Sequence, residues 1–114
     1  MDDVARARIL RLVGLGLRAR GAIVGVQQVR EGVKRNTVKF ALVAADASHH
    51  SVKKLVPLLN ARRVRFIEVP SAAELGAAVG RDSTAVVGIT DPALARGIRD
   101  VATTSPAAAQ PEDV

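Results

Sequence analysis

Apolar positions along the chain follow two alternating rhythms, stripes at helical spacing and short, nearly unbroken runs. Ala5, Ile9, Leu12, Val13 and Leu17 make one stripe, and Asp2 or Asp3 stands where a cap is needed, so a first helix is predicted to about Arg18. Gly21 reads as its stop, Ala22 to Val24 as a short strand, and Gly25 as the turn that opens a second helix ending near Gly32. Val38 to Ala44 is an apolar run of the kind expected for a strand covered on both faces. Asp46 and Ser48 offer caps for a third helix with Val52, Leu55, Val56 and Leu59 on its buried side. Pro57 falls inside that helix and is expected to kink it, because proline removes a backbone donor.

Val64 to Val69 is the next predicted strand, and Ser71-Ala-Ala-Glu74 after Pro70 has the form of a capping box, with hydroxyl and carboxylate each satisfying an orphan N–H. That helix stops at Gly80. A polar loop, Arg81 to Thr84, leads into a fourth strand, Ala85 to Ile89, and Asp91-Pro92 supplies the N-cap and first residue of a last helix to about Val101. Helices alternating with about four short strands imply an α/β fold, a three-layer α/β/α sandwich around a small mixed sheet. Residues 1–101 are expected to form one domain, and 102–114, without periodicity and with two prolines, a disordered C-terminal tail.

Composition narrows the chemistry. A chain of 114 residues buries about 65% of its unfolded surface and needs no staple. It has no cysteine, so disulfides, thiolate metal sites and thiol catalysis are excluded. No apolar run approaches the roughly 18 residues of a membrane span, and Met1 is followed by two aspartates rather than a signal sequence, so a cytoplasmic protein without a membrane partner is expected. All 17 Lys and Arg fall within residues 1–101 against 9 Asp and Glu, a net charge of +8 there and +6 for the whole chain. Such an excess on a small domain fits a phosphate-backbone partner. The two aromatics, Phe40 and Phe66, sit in predicted strands and argue against base stacking as the mode of recognition.

Enzymatic constellations are weak. His49 and His50 are neighbours whose side chains diverge by about 100° on a helix, unsuited to one metal. Asp46, Ser48 and His49 are close in sequence, but capping accounts for the first two. Gly14, Gly16 and Gly21 follow no strand, so they do not make a dinucleotide loop, and there is no Walker loop. Neither a cofactor nor a metal is expected, and the chain is read as a non-enzyme.

The stretch Gly25 to Ser48 instead suggests binding. It places a helix N-terminus with polar Gln27 and Gln28 beside the end of the strand Val38 to Ala44, with Arg30, Lys34, Arg35 and Lys39 around it, an arrangement suited to an anionic polymer.

The block Gly25 to Asp46, followed by LVPLLNARRVRFIEVPSAAELGAAVG from Leu55 to Gly80, resembles the kink-turn RNA-binding ribosomal proteins of the archaeal L-seven-Ae type, and in length and charge their bacterial YlxQ-like branch. The resemblance covers most of residues 4 to 101. It implies structured RNA as partner, ribosomal RNA in particular, with ribosomal or translation-related proteins nearby and the protein itself a monomer. The family's RNA-reading motif begins with glycine, usually continues Asn-Glu, and has a lysine three residues after the glutamate. Here Gly25 matches and is followed by Val26, Gln27 stands for the asparagine, Gln28 for the glutamate and Glu31 for the lysine. Ser48 falls where some members carry an acidic contact. The second RNA-facing segment would be Gly80 to Thr84, with Arg81 toward phosphate and Ser83 and Thr84 beside it; Lys34, Arg35 and Lys39 would be further phosphate contacts. The competing expectation is a protein-interaction module on the same fold that has lost RNA.

Overall fold

The computed structural model describes residues 2–104. The elements follow one another as α1 (Asp3–Arg18), β1 (Ala22–Val24), α2 (Val26–Lys34), β2 (Phe40–Ala44), α3 (His49–Val52), α4 (Leu55–Ala61), β3 (Phe66–Val69), α5 (Ala72–Ala78), β4 (Val86–Ile89) and α6 (Pro92–Thr104). The strands form one mixed sheet in the order β1-β4-β2-β3. β4 runs antiparallel to both β1 and β2, with Ala22 and Phe40 each opposite Ile89, and β2 runs parallel to β3, with Ala41 opposite Phe66.

Strand alternation divides the core in two. Ala22, Val24, Phe40, Leu42, Ala44, Ile67, Val69, Val87 and Ile89 face Ile9 and Val13 of α1, Leu75 of α5 and Ile98 of α6. Ala41, Val43 and Val86 face Val29 and Val33 of α2 and Leu55 and Leu59 of α4. This is the expected three-layer sandwich, and β2, with all five residues buried, is its centre.

Local chemistry explains most boundaries. The Asp2 carboxylate accepts from the Ala5 N–H at 2.7 Å, and Asp91 Oδ1 from the Ala93 N–H at 3.3 Å just ahead of Pro92. Helix α1 ends at Arg18 as expected, but Arg20 rather than Gly21 takes the left-handed position, at φ 61°, and Gly21 N–H reaches back to the Gly16 carbonyl. Helix α2 continues past Gly32 to Lys34 and closes through Asn36, also at φ 61°. The strands are shorter than the apolar runs: β2 starts at Phe40, β3 at Phe66 and β4 at Val86.

The single kinked third helix is replaced by two helices separated at Lys53 and Lys54. Pro57 is the third residue of α4; it has no N–H for the carbonyl of Lys53 four residues back, and the helix divides there, so the expected kink takes the form of a break one turn before the proline. Ser48 caps α3 as expected, but Asp46 turns away and accepts the Ala72 N–H of α5 at 2.7 Å. Half of the capping box forms. Ser71 Oγ accepts from Ala73 and Glu74 N–H, whereas the Glu74 carboxylate meets Arg6 Nε of α1 at 3.1 Å. Helix α6 runs three residues beyond Val101 and buries Ala102 against the core. The rest of the expected tail, 105–114, lies outside the described residues.

Candidate functional site

Three parallel strands and the antiparallel β4 give the sheet two distinct ends, and the candidate residues divide between them. At the first end the chain leaves β1, β2 and β3 and enters β4. Gly25 N–H donates to the Val86 carbonyl at 3.0 Å, Ala44 N–H to Ala85 at 2.8 Å and Ala45 N–H to Val69 at 2.7 Å. Thr84 N–H donates to Ala72 at 3.0 Å, which ties the loop before β4 to the start of α5. The turn opening α2 and the loop that leads into β4 thereby lie at the same end of the sheet, Gly25 bonded to the first residue of β4 and Thr84 two residues before it.

Gly25 takes φ 99° and ψ 152°, a backbone region open almost only to glycine, and a Cβ there would meet nothing within 4 Å. The approach to α2 is therefore bare. No side chain caps its first turn and no acid lies within it, so the positive end of the helix is open to an anion. Gln27 and Gln28 are exposed there, and Val26 is half-buried beneath them. Glu31, one turn on, is exposed. Arg30 is half-buried, and its Nε is shut from solvent with no hydrogen-bond partner among the described residues.

The neighbouring loop is held by its own backbone. Gly80, at φ 75°, lets Arg81 N–H return to the Gly76 carbonyl at 2.8 Å. Gly76 lies so close to Ser83 that an added Cβ would strike the Ser83 backbone. Arg81, Asp82 and Ser83 are presented to solvent as a result. Thr84 points the other way; it is only 8% exposed, and its hydroxyl donates to the Val86 carbonyl at 3.2 Å. Ser48 is exposed in the adjoining turn, with its oxygen accepting from His50 N–H at 3.2 Å.

Lys34, Arg35 and Lys39 stand apart from these loops. Helix α2 carries the chain back along the sheet for nine residues, about 13 Å at 1.5 Å per residue, so its C-terminus lies at the opposite end. Lys39 N–H donates to Ile89 there, and Arg62 Nη1 joins the two helix ends by donating to the Lys34 carbonyl and to Asn36 Oδ1, both at 3.3 Å. Arg62, Arg63 and Arg65 belong to this group but were absent from the sequence-based set, because their neighbours across α2 are more than 25 residues away in the chain.

The fold agrees with the comparisons. A family model described as the ribosomal protein L7Ae/L30e/S12e/Gadd45 family matches residues 7–101. The chain belongs to this family. Among its relatives in the family is the RNA-binding protein YlxQ of Bacillus subtilis (strain 168), 33% identical over 84 residues, covering 74% of this chain and 84% of that protein. The RNA-binding protein YlxQ of Enterococcus faecium is 28% identical over 101 residues, covering 89% and 97%. A solved structure of a protein of unknown function from Bacillus halodurans superposes with a TM-score of 0.78 at 29% identity, over 83% of this chain and 96% of the other. The Giardia lamblia 15.5kD RNA binding protein shares the fold, with a TM-score of 0.80 over 96% and 93% at 21% identity.

Proposed function

We propose that this protein binds structured RNA without catalysing a reaction on it, at the end of the sheet where the Gly25–Gln28 turn adjoins the Arg81–Ser83 loop. The observation that carries the reading is the adjacency of the uncapped N-terminus of α2 to that exposed loop. Backbone N–H groups and the helix dipole suit phosphate or a base acceptor, and Gln27 and Gln28 can both donate to and accept from base edges. Arg81 offers a forked donor to phosphate, and Arg30 brings a buried, unmatched Nε to the same helix. Kink-turn or ribosomal RNA in the cytoplasm is the setting we assign, with the protein acting as a monomer. Relatives that are RNA-binding proteins support this over the protein-interaction alternative.

Fluorescence titration of a kinked RNA and of an unkinked duplex tests the proposal. The wild type should prefer the kinked RNA, and Arg81→Ala and the Gln27→Ala/Gln28→Ala pair should each weaken that binding by about tenfold or more, as expected for a lost contact of 1–3 kcal/mol. Equal affinity for both RNAs, unaltered in every variant, would overturn it.

A further inference from the structure

We infer that the opposite end of the molecule is a second RNA surface, which grips the phosphate backbone of a double-helical stem without reading its sequence. Lys34 and Arg35 close α2, Lys39 precedes β2, Arg62 and Arg63 close α4, and Arg65 precedes β3. All six are exposed. The strand pairing sets them side by side, with Ala41 N–H donating to the Arg65 carbonyl at 3.0 Å and Lys39 N–H to Ile89 at 2.7 Å.

Two features make this a shaped surface rather than a scatter of charge. Asn36 and Arg63 hold left-handed turns at φ 61° and 57°, and Arg62 bridges them through Asn36 Oδ1 and the Lys34 carbonyl. The Asn36 carbonyl accepts from Lys39 Nζ at 3.2 Å. Exposed acceptors at the negative end of α2 are thus occupied by cations, one of them from the end of α4. The second feature is the lack of compensating acid. No Asp or Glu occurs from Gly32 to Ala45 or from Ala47 to Ile67, and among the described residues Lys34, Arg35 and Arg63 meet no carboxylate. Asp91 shares this end of the sheet but lies across β4, with its carboxylate capping α6.

Phosphate, rather than bases, is the ligand that fits. Phe40 is buried and Phe66 packs against the core, so no aromatic platform faces outward for stacking. Arg and Lys without stacking partners serve backbone contacts, which position a nucleic acid without reading it. The loop end is less positive: Arg81 shares it with Asp46 and Asp82, whereas Glu31, one turn before Lys34 and Arg35, is the acid nearest the basic end. One end can therefore select a fold of RNA while the other adds affinity from a neighbouring stem.

The inference extends the proposed function, and its test separates the two. A plain RNA duplex, a DNA duplex of equal length, and kinked RNA with a minimal stem or a long one are titrated over a range of salt. Lys34→Gln/Arg35→Gln/Arg63→Gln should lose about tenfold or more in affinity for the plain RNA duplex and the long-stem RNA. Its log–log salt slope should fall by about two to three, near 0.9 per lost phosphate contact, while minimal-stem binding is unchanged. Arg81→Ala should show the reverse pattern. The charge-preserving Arg35→Lys/Arg63→Lys should keep most of the duplex affinity. Arg35→Gln alone, at an exposed helix end, should show part of the loss and guards against misfolding of the triple variant. Duplex binding that is unaltered by the neutralising variants, including capture of an acidic protein by this end in its place, would overturn the inference and leave the loop site standing. Loss of duplex binding without any preference for kinked RNA would support this surface and count against the loop site. DNA bound as tightly as RNA would overturn the RNA assignment.

Discussion

Gly25 permits the bare turn on which the proposed RNA site depends. At φ 99° and ψ 152°, any side chain there is strained even with open space around it, so Gly25→Ala should cost about 1–3 kcal/mol in a denaturant titration and weaken binding of kinked RNA. Arg20 is the opposite case. It holds φ 61° at the end of α1, exposed, where glycine is the usual occupant, so Arg20→Gly should raise stability by about 0.5–1 kcal/mol in the same assay. Caps between near neighbours, such as Asp2 with Ala5 or Ser71 with Glu74, were legible in the sequence because both partners lie in one short window. The carboxylate of Asp46 was not, since its partner Ala72 is brought to it only when β2 and β3 pair.

Helix α2 connects the two ends of the sheet and exposes Gln27, Gln28 and Glu31, the residues proposed to read RNA. If the resemblance read from the sequence holds at these positions, Gln28 and Glu31 stand where the family motif has an acid and a base, and Glu31 puts a carboxylate where a cation would meet phosphate or a base acceptor. Glu31→Lys with Gln28→Glu should improve discrimination for kinked over unkinked RNA by about 1–3 kcal/mol per restored contact, with Glu31→Lys alone giving part of the gain. Equal titrations for wild type, single and double variants would remove this helix from the reading surface. The type and order of the elements were legible because apolar periodicity reports which face is covered. The complete break at Lys53–Lys54 was only partly so: Pro57 signals a disturbance, but whether it bends one helix or divides it in two depends on how Leu55 and Leu59 dock on the sheet.

Across the whole molecule, the net charge of +8 over residues 1–101 predicted a polyanionic partner, but charge counted along a chain has no direction. The strand order β1-β4-β2-β3 gives it one, by returning α2 and α4 to the end of the sheet away from the Gly25 and Gly80 turns. Lys34, Arg35 and Lys39, which read as neighbours of Gly25 in sequence, are separated from it by the length of a helix. Binding of structured RNA should weaken steeply with salt, with a log–log slope equivalent to roughly three to six phosphate contacts; a slope near zero would remove the electrostatic part of the account. The most direct test is amide hydrogen exchange with and without bound kinked RNA. Slower exchange should appear in the first turn of α2, at Gln27 and Gln28, and in the loop Arg81–Ser83. Protection confined to α1 and α6, with both segments unchanged, would contradict the placement of the RNA site at this end of the sheet.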